Sequence, residues 1–349
     1  MYPISFPLRV LSQSKRTTEW VLDPFCGRGT TNFAARILGL PSVGIDTSPI
    51  AVAIAKAKLA TADPQSVVDA AERLISETPE IETPTSEFWD LAYHPTTLRT
   101  LVRLRAGLLK ADDTEAHVVL RAIVLGGLHG PKSKGVKGYL SNQSPRTFAP
   151  KPAYAVRFWK SRNLHPENVD LLAVIRLRAN RYLQDLPQAT AGMIMLDDGR
   201  NIDTHDWGYN FSYVITSPPY YGMRTYIPDQ WLRYWFLGGP ADVAYTHPVG
   251  SLSHRSLDAF TIGLAGMWRS VANVCKPAAK LVCRFGAIRD RDHDPVDIIK
   301  NSLSGTDWQL VTIKHAGNSL AGKRQAQQFG ERIRLSPRQE YDFHARLMR

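Results

Sequence analysis

Short apolar and β-branched runs bounded by turn residues recur along the chain: WVLD (20–23), SVGID (42–46), MIML (193–196), YVIT (213–216), KLVCRFGAI (280–288), WQLVTIKHAG (308–317) and YDFHARL (341–347). Runs of this length and composition predict strands. Between most of them the apolar positions change to three- and four-residue spacing, over Thr30 to Leu38, Pro49 to Ala60, Leu257 to Cys275 and Pro295 to Leu303. That spacing lays one apolar stripe along a helix. Strand alternating with helix predicts an α/β class built on a doubly wound, mainly parallel sheet of seven strands.

The alternation fails between about residue 61 and residue 190, a gap far longer than a βα connection. Its strongest signals are helical: TTLRTLVRLRAGLLK, EAHVVLRAIVLGGL and NVDLLAVIRLRANRYL. An inserted, mainly helical subdomain is expected there, over 85–184, with the sheet formed by 1–84 and 185–349. The acidic, proline-rich stretch ETPEIETPTSE (77–87) is the expected linker into it. No internal repeat is present.

Composition narrows the class. At 349 residues, 44% hydrophobic and 21% charged, the chain is of ordinary globular character. No apolar run approaches the roughly 18 residues of a membrane span, and the opening MYPISFPLRVLSQSKRTTEW holds no sustained apolar stretch after a basic start. A soluble, cytoplasmic protein with no membrane partner is the expectation. Cys26, Cys275 and Cys283 form no CxxC pair, which argues against a disulfide framework and against zinc.

The formal charge of +11 points to a polyanionic partner, and its location sharpens the point. From Pro131 to Arg162 there are eight basic residues, Lys132, Lys134, Lys137, Arg146, Lys151, Arg157, Lys160 and Arg162, and no acidic one. Tyr139, Phe148, Tyr154, Phe158 and Trp159 are interleaved with them. Such a mixture grips phosphates and touches bases, whereas a merely solubilising surface mixes both signs. Asn142, Gln143 and Arg146 have the donor and acceptor geometry for bidentate base contacts. A second basic cluster includes Lys323, Arg324, Arg332, Arg334 and Arg338 between the sixth and seventh strands.

The candidate chemistry lies at two strand ends. Asp23-Pro24-Phe25-Cys26-Gly27-Arg28-Gly29-Thr30-Thr31 follows a strand and opens a helix, where glycines let the backbone approach a ligand and the helix start offers free N–H groups. The next strand ends at Asp46, the usual position of an acceptor for ribose hydroxyls, although a carboxylate there also suits the cap of the helix near Pro49. After the fourth predicted strand comes Ser217-Pro218-Pro219-Tyr220. Taken by itself this is a proline-stiffened turn with packed tyrosines.

Together these segments resemble a known family. DPFCGRGTT followed by GIDTSPIA is similar to motifs I and II of the amino-directed DNA methyltransferases, and TSPPYYGMRTY (216–226) resembles their motif IV, a D/N/S-P-P-Y/F/W tetrapeptide. YPISFP resembles motif X, and MIMLDDGRN resembles motif III. The likeness covers roughly residues 1–60 and 190–349 and leaves the insertion as the natural target-recognition domain.

The resemblance implies a Rossmann-like methyltransferase sheet with S-adenosyl-L-methionine as cofactor. It implies that Phe6, Asp23, Pro24, Phe25, Cys26, Gly27, Gly29, Thr30, Thr31, Asp46, Thr47, Ser48 and Asp198 serve the cofactor, with Phe6 near it and Asp198 toward its adenine. Ser217, Pro218, Pro219 and Tyr220 are the implied catalytic set, Ser217 and the Pro218 carbonyl accepting from the target amine and Tyr220 stacking on a flipped base. Lys132, Lys134, Lys137, Asn142, Gln143, Arg146, Lys151, Lys323 and Arg324 are the expected contacts to double-stranded DNA. Serine at the head of the tetrapeptide resembles the N4-cytosine enzymes; N6-adenine remains the alternative, and an RNA amino-methyltransferase or a silent DNA-binding relative are further ones. A cysteine nucleophile for C5 chemistry is disfavoured, because Cys26 lies inside the cofactor loop. The resemblance further implies restriction–modification or epigenetic marking, with a companion restriction endonuclease as candidate partner and a monomer or weak dimer as the working form.

Overall fold

The computed structural model describes residues 2–14, 16–130, 138–142, 152–222, 230–243, 252–286, 293–318 and 339–349. The chain forms two compact units: Met1–Leu59, Pro187–Thr225 and Pro248–Arg349 make the first, Ala60–Leu186 and Tyr226–His247 the second.

The first unit holds one sheet of seven strands. In spatial order these are β3 (Gly192–Leu196), β2 (Ser42–Asp46), β1 (Trp20–Asp23), β4 (Phe211–Thr216), β5 (Cys275–Gly286), β7 (Gln339–Leu347) and β6 (Trp308–Asn318). All neighbours run parallel except β7, which is antiparallel to both β5 and β6. The order runs outward from β1 toward β3 on one side and from β4 toward β5 on the other. The reversal therefore falls between β1 and β4, where an open α/β sheet leaves a crevice at its carboxyl edge.

Successive residues of these strands face opposite layers, as the pleat requires. Leu22 and Val214 enter a core with Phe260, Leu264 and Trp268 of α11 (Leu257–Asn273) and Ile299 of α12 (Pro295–Leu303). Val21 and Ile215 enter the opposite core, with Phe6 and Leu11 of α1 (Ser5–Leu11) and Ala34 and Ala35 of α2 (Thr30–Ile37). Cys26 sits in a small third cluster with Ile194 and with Val52 and Ala55 of α3 (Pro49–Leu59). Burial pushes the thiols of Cys26, Cys275 and Cys283 above their ordinary range, so all three behave as small apolar side chains.

The second unit is helical: α4 (Pro64–Glu77), α5 (Glu87–Ala92), α6 (Pro95–Lys110), α7 (Glu115–Gly127), α8 (Pro152–Lys160), α9 (Leu171–Leu183) and α10 (Trp231–Phe236). Its starts are written in the sequence. Asp63, Thr114 and Asp170 accept from first-turn amides of α4, α7 and α9, and proline opens α4 and α6. Phe88, Trp89, Trp159, Trp231 and Trp235 meet edge-on or tilted in its core.

Two features of this unit differ from the expected boundary at residue 85. Helix α4 packs on α6, α7 and α9, so the ETPEIETPTSE stretch connects α4 to α5 within the unit instead of leading into it. Residues 230–243 also belong here, because Trp231, Leu232, Trp235 and Phe236 are buried and Arg105 donates to the Trp235 and Gly239 carbonyls at 2.7 and 3.1 Å. No helix among the described residues is long and apolar enough to cross a membrane.

Candidate active site

At the reversal point, Asp23 ends β1 and Thr216 ends β4. Asp23 is fully buried, and the Thr216 hydroxyl donates to its Oδ1 at 2.6 Å. The Phe25 amide donates to the same oxygen at 3.2 Å, and the Tyr2 hydroxyl donates to Oδ2 at 3.0 Å. Burial raises the Asp23 carboxyl from 3.8 to about 6, against the lowering effect of the hydroxyls of Thr216, Thr31 and Tyr2 and of the Phe25 amide. One carboxyl group thus ties the chain's beginning, the glycine loop and the strand that leads into Ser217.

The glycine loop is fixed by its own backbone. Cys26 N–H donates to the Ile45 carbonyl at 2.9 Å, Gly27 N–H to Asp46 Oδ2 at 2.9 Å, and Gly29 N–H to the Cys26 carbonyl at 2.8 Å. Gly27 and Gly29 both have left-handed backbone, φ +51° and +69°, for different reasons. A Cβ on Gly27 would meet nothing within 4 Å, so that edge of the loop is open to a ligand. A Cβ on Gly29 would lie 2.9 Å from Ala55 Cβ, so that glycine lets the loop press against α3.

Asp46 is half-buried and linked to both sides of the crevice, accepting from Gly27 N–H and, at 2.8 Å, from Ser48 N–H. Burial raises its carboxyl above the ordinary value, while these two amides pull the other way. Each oxygen keeps a further lone pair for a hydroxyl donor. The helix cap is Ser48, whose Oγ accepts from Ala51 N–H at 3.4 Å, so Asp46 is not needed there.

Ser217-Pro218-Pro219-Tyr220 leaves β4 at the same edge. Ser217, Pro219 and Tyr220 are half-buried and Pro218 is buried. The Tyr220 hydroxyl donates to Glu340 Oε1 of β7 at 2.8 Å, and its ring meets Phe285 edge-on at 5.4 Å. Burial, then the Glu340 charge, pushes the phenol up, so it stays a donor. Tyr221, next along, is buried against Phe260, and the Gly222 amide donates to His254 Nδ1 at 3.0 Å. The loop is therefore pinned after the tetrapeptide as well as before it.

Of the residues expected at the cofactor, Phe25, Gly27, Thr30, Asp46, Thr47 and Ser48 are half-buried around the ends of β1 and β2. Others are internal. Pro24 and Gly29 are buried, and Cys26 is 4% exposed. Thr31 is fully buried and donates to the Ile215 carbonyl at 3.1 Å, which makes it a clamp between α2 and β4. Phe6 is a core residue: its ring lies under the Arg284 guanidinium, 3.9 Å from the ring centre, and Arg284 is held by Asp342 at 2.7 and 2.9 Å. The N-terminal aromatic that reaches the crevice residues is instead Tyr2, bonded to Asp23 and Thr31. Asp198 caps the short 3₁₀ turn Gly199–Thr204 and pairs with Arg200, whose Nε lies 3.0 Å from both carboxylate oxygens. That carboxylate is already engaged.

Of the expected DNA contacts, only Asn142 falls within the described residues; Lys132, Lys134, Lys137, Gln143, Arg146, Lys151, Lys323 and Arg324 lie outside them. Asn142 is a strut of the helical unit. Its Nδ2 donates to the Leu91 and Leu164 carbonyls at 3.1 and 3.4 Å, and its backbone N–H to the Ala92 carbonyl at 2.6 Å. The same short strap, residues 138–142, is held by His129 Nδ1 against Ser141 Oγ at 2.8 Å and by Arg178 Nε on the Gly138 carbonyl, also 2.8 Å. Base readout by the Asn142 amide does not fit this arrangement.

Tyr2, Thr216 and Glu340 are the residues sequence reading passed over. Tyr2 is the first residue of the motif-X-like segment YPISFP and Thr216 stands directly before Ser217, so both were within reach. Glu340 is 120 residues from Tyr220, and no local pattern points to it.

Residues 1–57 match the DNA methylase family. No curated protein matches the chain. Among solved structures, it resembles the rRNA methyltransferase aviRa from Streptomyces viridochromogenes at 12% identity and a TM-score of 0.37, over 99% of this chain and 86% of that one. Magnesium protoporphyrin IX methyltransferase (ChlM) from Synechocystis PCC 6803, with bound SAM, is similar at 10% identity and 0.37, over 98% and 76%. TrmN from Thermus thermophilus is similar at 10% and 0.35, over 99% and 48%. Likeness at this level does not extend to substrate.

Proposed function

We propose that this protein is an S-adenosylmethionine-dependent methyltransferase acting on DNA, at the exocyclic N4 amine of cytosine. The observation that carries the reading is the bond from Thr216 to Asp23, which holds the glycine loop beside the Ser217-Pro218-Pro219-Tyr220 turn at the point where strand order reverses. The match of the first 57 residues to the DNA methylase family supports the same class.

The crevice fits the cofactor on its own geometry. The open side of Gly27 admits a ligand against the loop, and Asp46 retains acceptor capacity for ribose hydroxyls. Phe25, Thr30, Thr47 and Ser48 border the same edge and would complete the cradle. When bound, S-adenosylmethionine supplies an electrophilic methyl carbon on a sulfonium.

The chain's task is to make an amine nucleophilic and hold it in line. An exocyclic amine is weak because its lone pair is delocalised into the ring. Acceptors for its N–H groups draw the nitrogen toward a tetrahedral shape and free the pair. The Ser217 hydroxyl and the Pro218 carbonyl are the acceptors at hand, and among the described residues neither is taken by another group. Two consecutive prolines hold that carbonyl's direction. Tyr220, with its hydroxyl fixed by Glu340, offers a rigid ring beside a base that has left the duplex.

Target reading is assigned to the helical unit, on the charge of the segment from 131 to 162. Transfer of labelled methyl from S-adenosylmethionine to unmethylated DNA and to total RNA, side by side, tests the proposal. Label in DNA alone supports it, label in RNA alone replaces the substrate, and label in neither overturns it.

A further inference from the structure

The end of α8 carries an arrangement that the reaction does not use. Tyr154 and Phe158, one helical turn apart, lie nearly parallel at 20°, with ring centres 6.5 Å apart. Four residues on, the Arg162 guanidinium lies over the Phe158 ring, 4.1 Å from its centre. Both rings are half-buried, while Arg157 and Arg162 are exposed; Trp159 faces inward, fully buried, and anchors the helix.

Charge pairing does not explain these two arginines. Lys160, on the same turn, pairs with Glu87. Neither Arg157 nor Arg162 has a carboxylate partner among the described residues, and the chain holds no acidic residue from 131 to 166. Arg157 and Lys160 lie in the last turn of α8, where a cation offsets the helix dipole. Arg162 lies beyond that turn and takes its orientation from the ring. Of its five N–H donors, one goes to Ser161 Oγ at 3.1 Å. A guanidinium held over an aromatic ring has given up part of its rotamer freedom before any ligand arrives, and its planar fork matches phosphate oxygens.

We infer that Arg162, stacked on Phe158, and Arg157 form a preorganised clamp for the phosphate backbone of DNA on α8. This rests on the DNA-methylating reading above and adds the surface that holds the substrate's backbone. Because the clamp touches phosphate, it strengthens binding on every sequence and reads none.

The test is binding of a labelled 30-base-pair duplex by fluorescence anisotropy across a salt series, with the melting temperature of each variant as folding control. Arg157→Ala and Arg162→Ala each weaken binding several-fold and flatten the plot of log affinity against log salt by about 0.9, the loss of one phosphate contact. Arg162→Lys and Phe158→Ala weaken binding several-fold with the slope kept, because charge survives and preorganisation does not. Arg73→Ala, which removes an exposed charge from α4, leaves the slope unchanged. If wild-type protein methylates DNA while the α8 variants bind with unaltered affinity and slope, the clamp is wrong and the activity stands. A change with Arg73→Ala equal to that with Arg157→Ala also overturns it, since net charge and not position would then govern binding. Wild-type protein that neither binds nor methylates DNA removes both readings.

Discussion

The Thr216 hydroxyl donates to the fully buried Oδ1 of Asp23 at 2.6 Å, joining the ends of the two strands between which the sheet reverses its order. Replacing Thr216 by valine keeps the shape and removes the donor from a carboxyl with no access to water. A buried polar group left short of a partner costs about 1–3 kcal/mol. Thr216→Val is expected to lower unfolding stability by that amount and to reduce kcat through a displaced Ser217. Denaturant unfolding and single-turnover transfer, measured on the same preparation, check the pair; a stable variant with unchanged kcat contradicts the link.

Asp23 also sets a pH dependence. Its carboxyl is raised on folding from 3.8 to about 6, so the native state holds this proton more tightly than the unfolded chain. Its contribution to stability is complete below about pH 4 and is lost as pH rises through 6, a swing of about 3 kcal/mol at 1.36 kcal/mol per unit. In Asp23→Asn this titration is absent. The difference in unfolding free energy between wild type and variant, followed from pH 4 to 7, should therefore fall across that window. A difference that stays constant with pH contradicts the assignment.

The two loop glycines should separate ligand binding from folding. Gly27→Ala meets open space and incurs about 1–2 kcal/mol of left-handed strain, while its methyl enters the proposed cofactor edge. It should raise the Kd for S-adenosylmethionine tenfold or more by calorimetry, with a modest loss of Tm. Gly29→Ala carries the same strain and also drives its Cβ to 2.9 Å from Ala55, adding about 1–3 kcal/mol of overpacking. Its loss of Tm should be clearly the larger of the two.

Glu340 is expected to act by positioning Tyr220. Tyr220→Phe and Glu340→Ala each remove the 2.8 Å bond, so their stability losses should not add, with a coupling of roughly 1 kcal/mol in a double-mutant cycle. Glu340→Gln retains an acceptor and should keep more of kcat than Glu340→Ala. Fully additive losses would mean the two side chains act independently.

Much of the fold was legible because the period of the apolar positions is local information. Among the described residues, the seven strands and the helices α2, α3, α11 and α12 lie where the pattern predicts them, while α1, which also packs on the sheet, was not read from it. The domain boundary was not, since whether α4 packs on the sheet or on α6, α7 and α9 depends on partners far away in sequence. The same limit governs the site. Gly27, Asp46 and Ser217 could be proposed from their positions after strands, but burial decides which of their neighbours lie at that edge. Phe6 and Thr31 turned inward because the core beneath α1 and α2 needed them. Asn142 offers the groups that suit a base edge, and the same side-chain amide suits two backbone carbonyls.

The most direct measurement is nucleoside mass spectrometry of unmethylated DNA incubated with S-adenosylmethionine and either wild-type protein or Ser217→Ala. The account predicts N4-methylcytosine with the wild type, reduced a hundredfold or more in the variant at near-native Tm. N6-methyladenine would keep the chemistry and contradict the base; no methylated nucleoside, or equal yield from Ser217→Ala, would contradict the central claim.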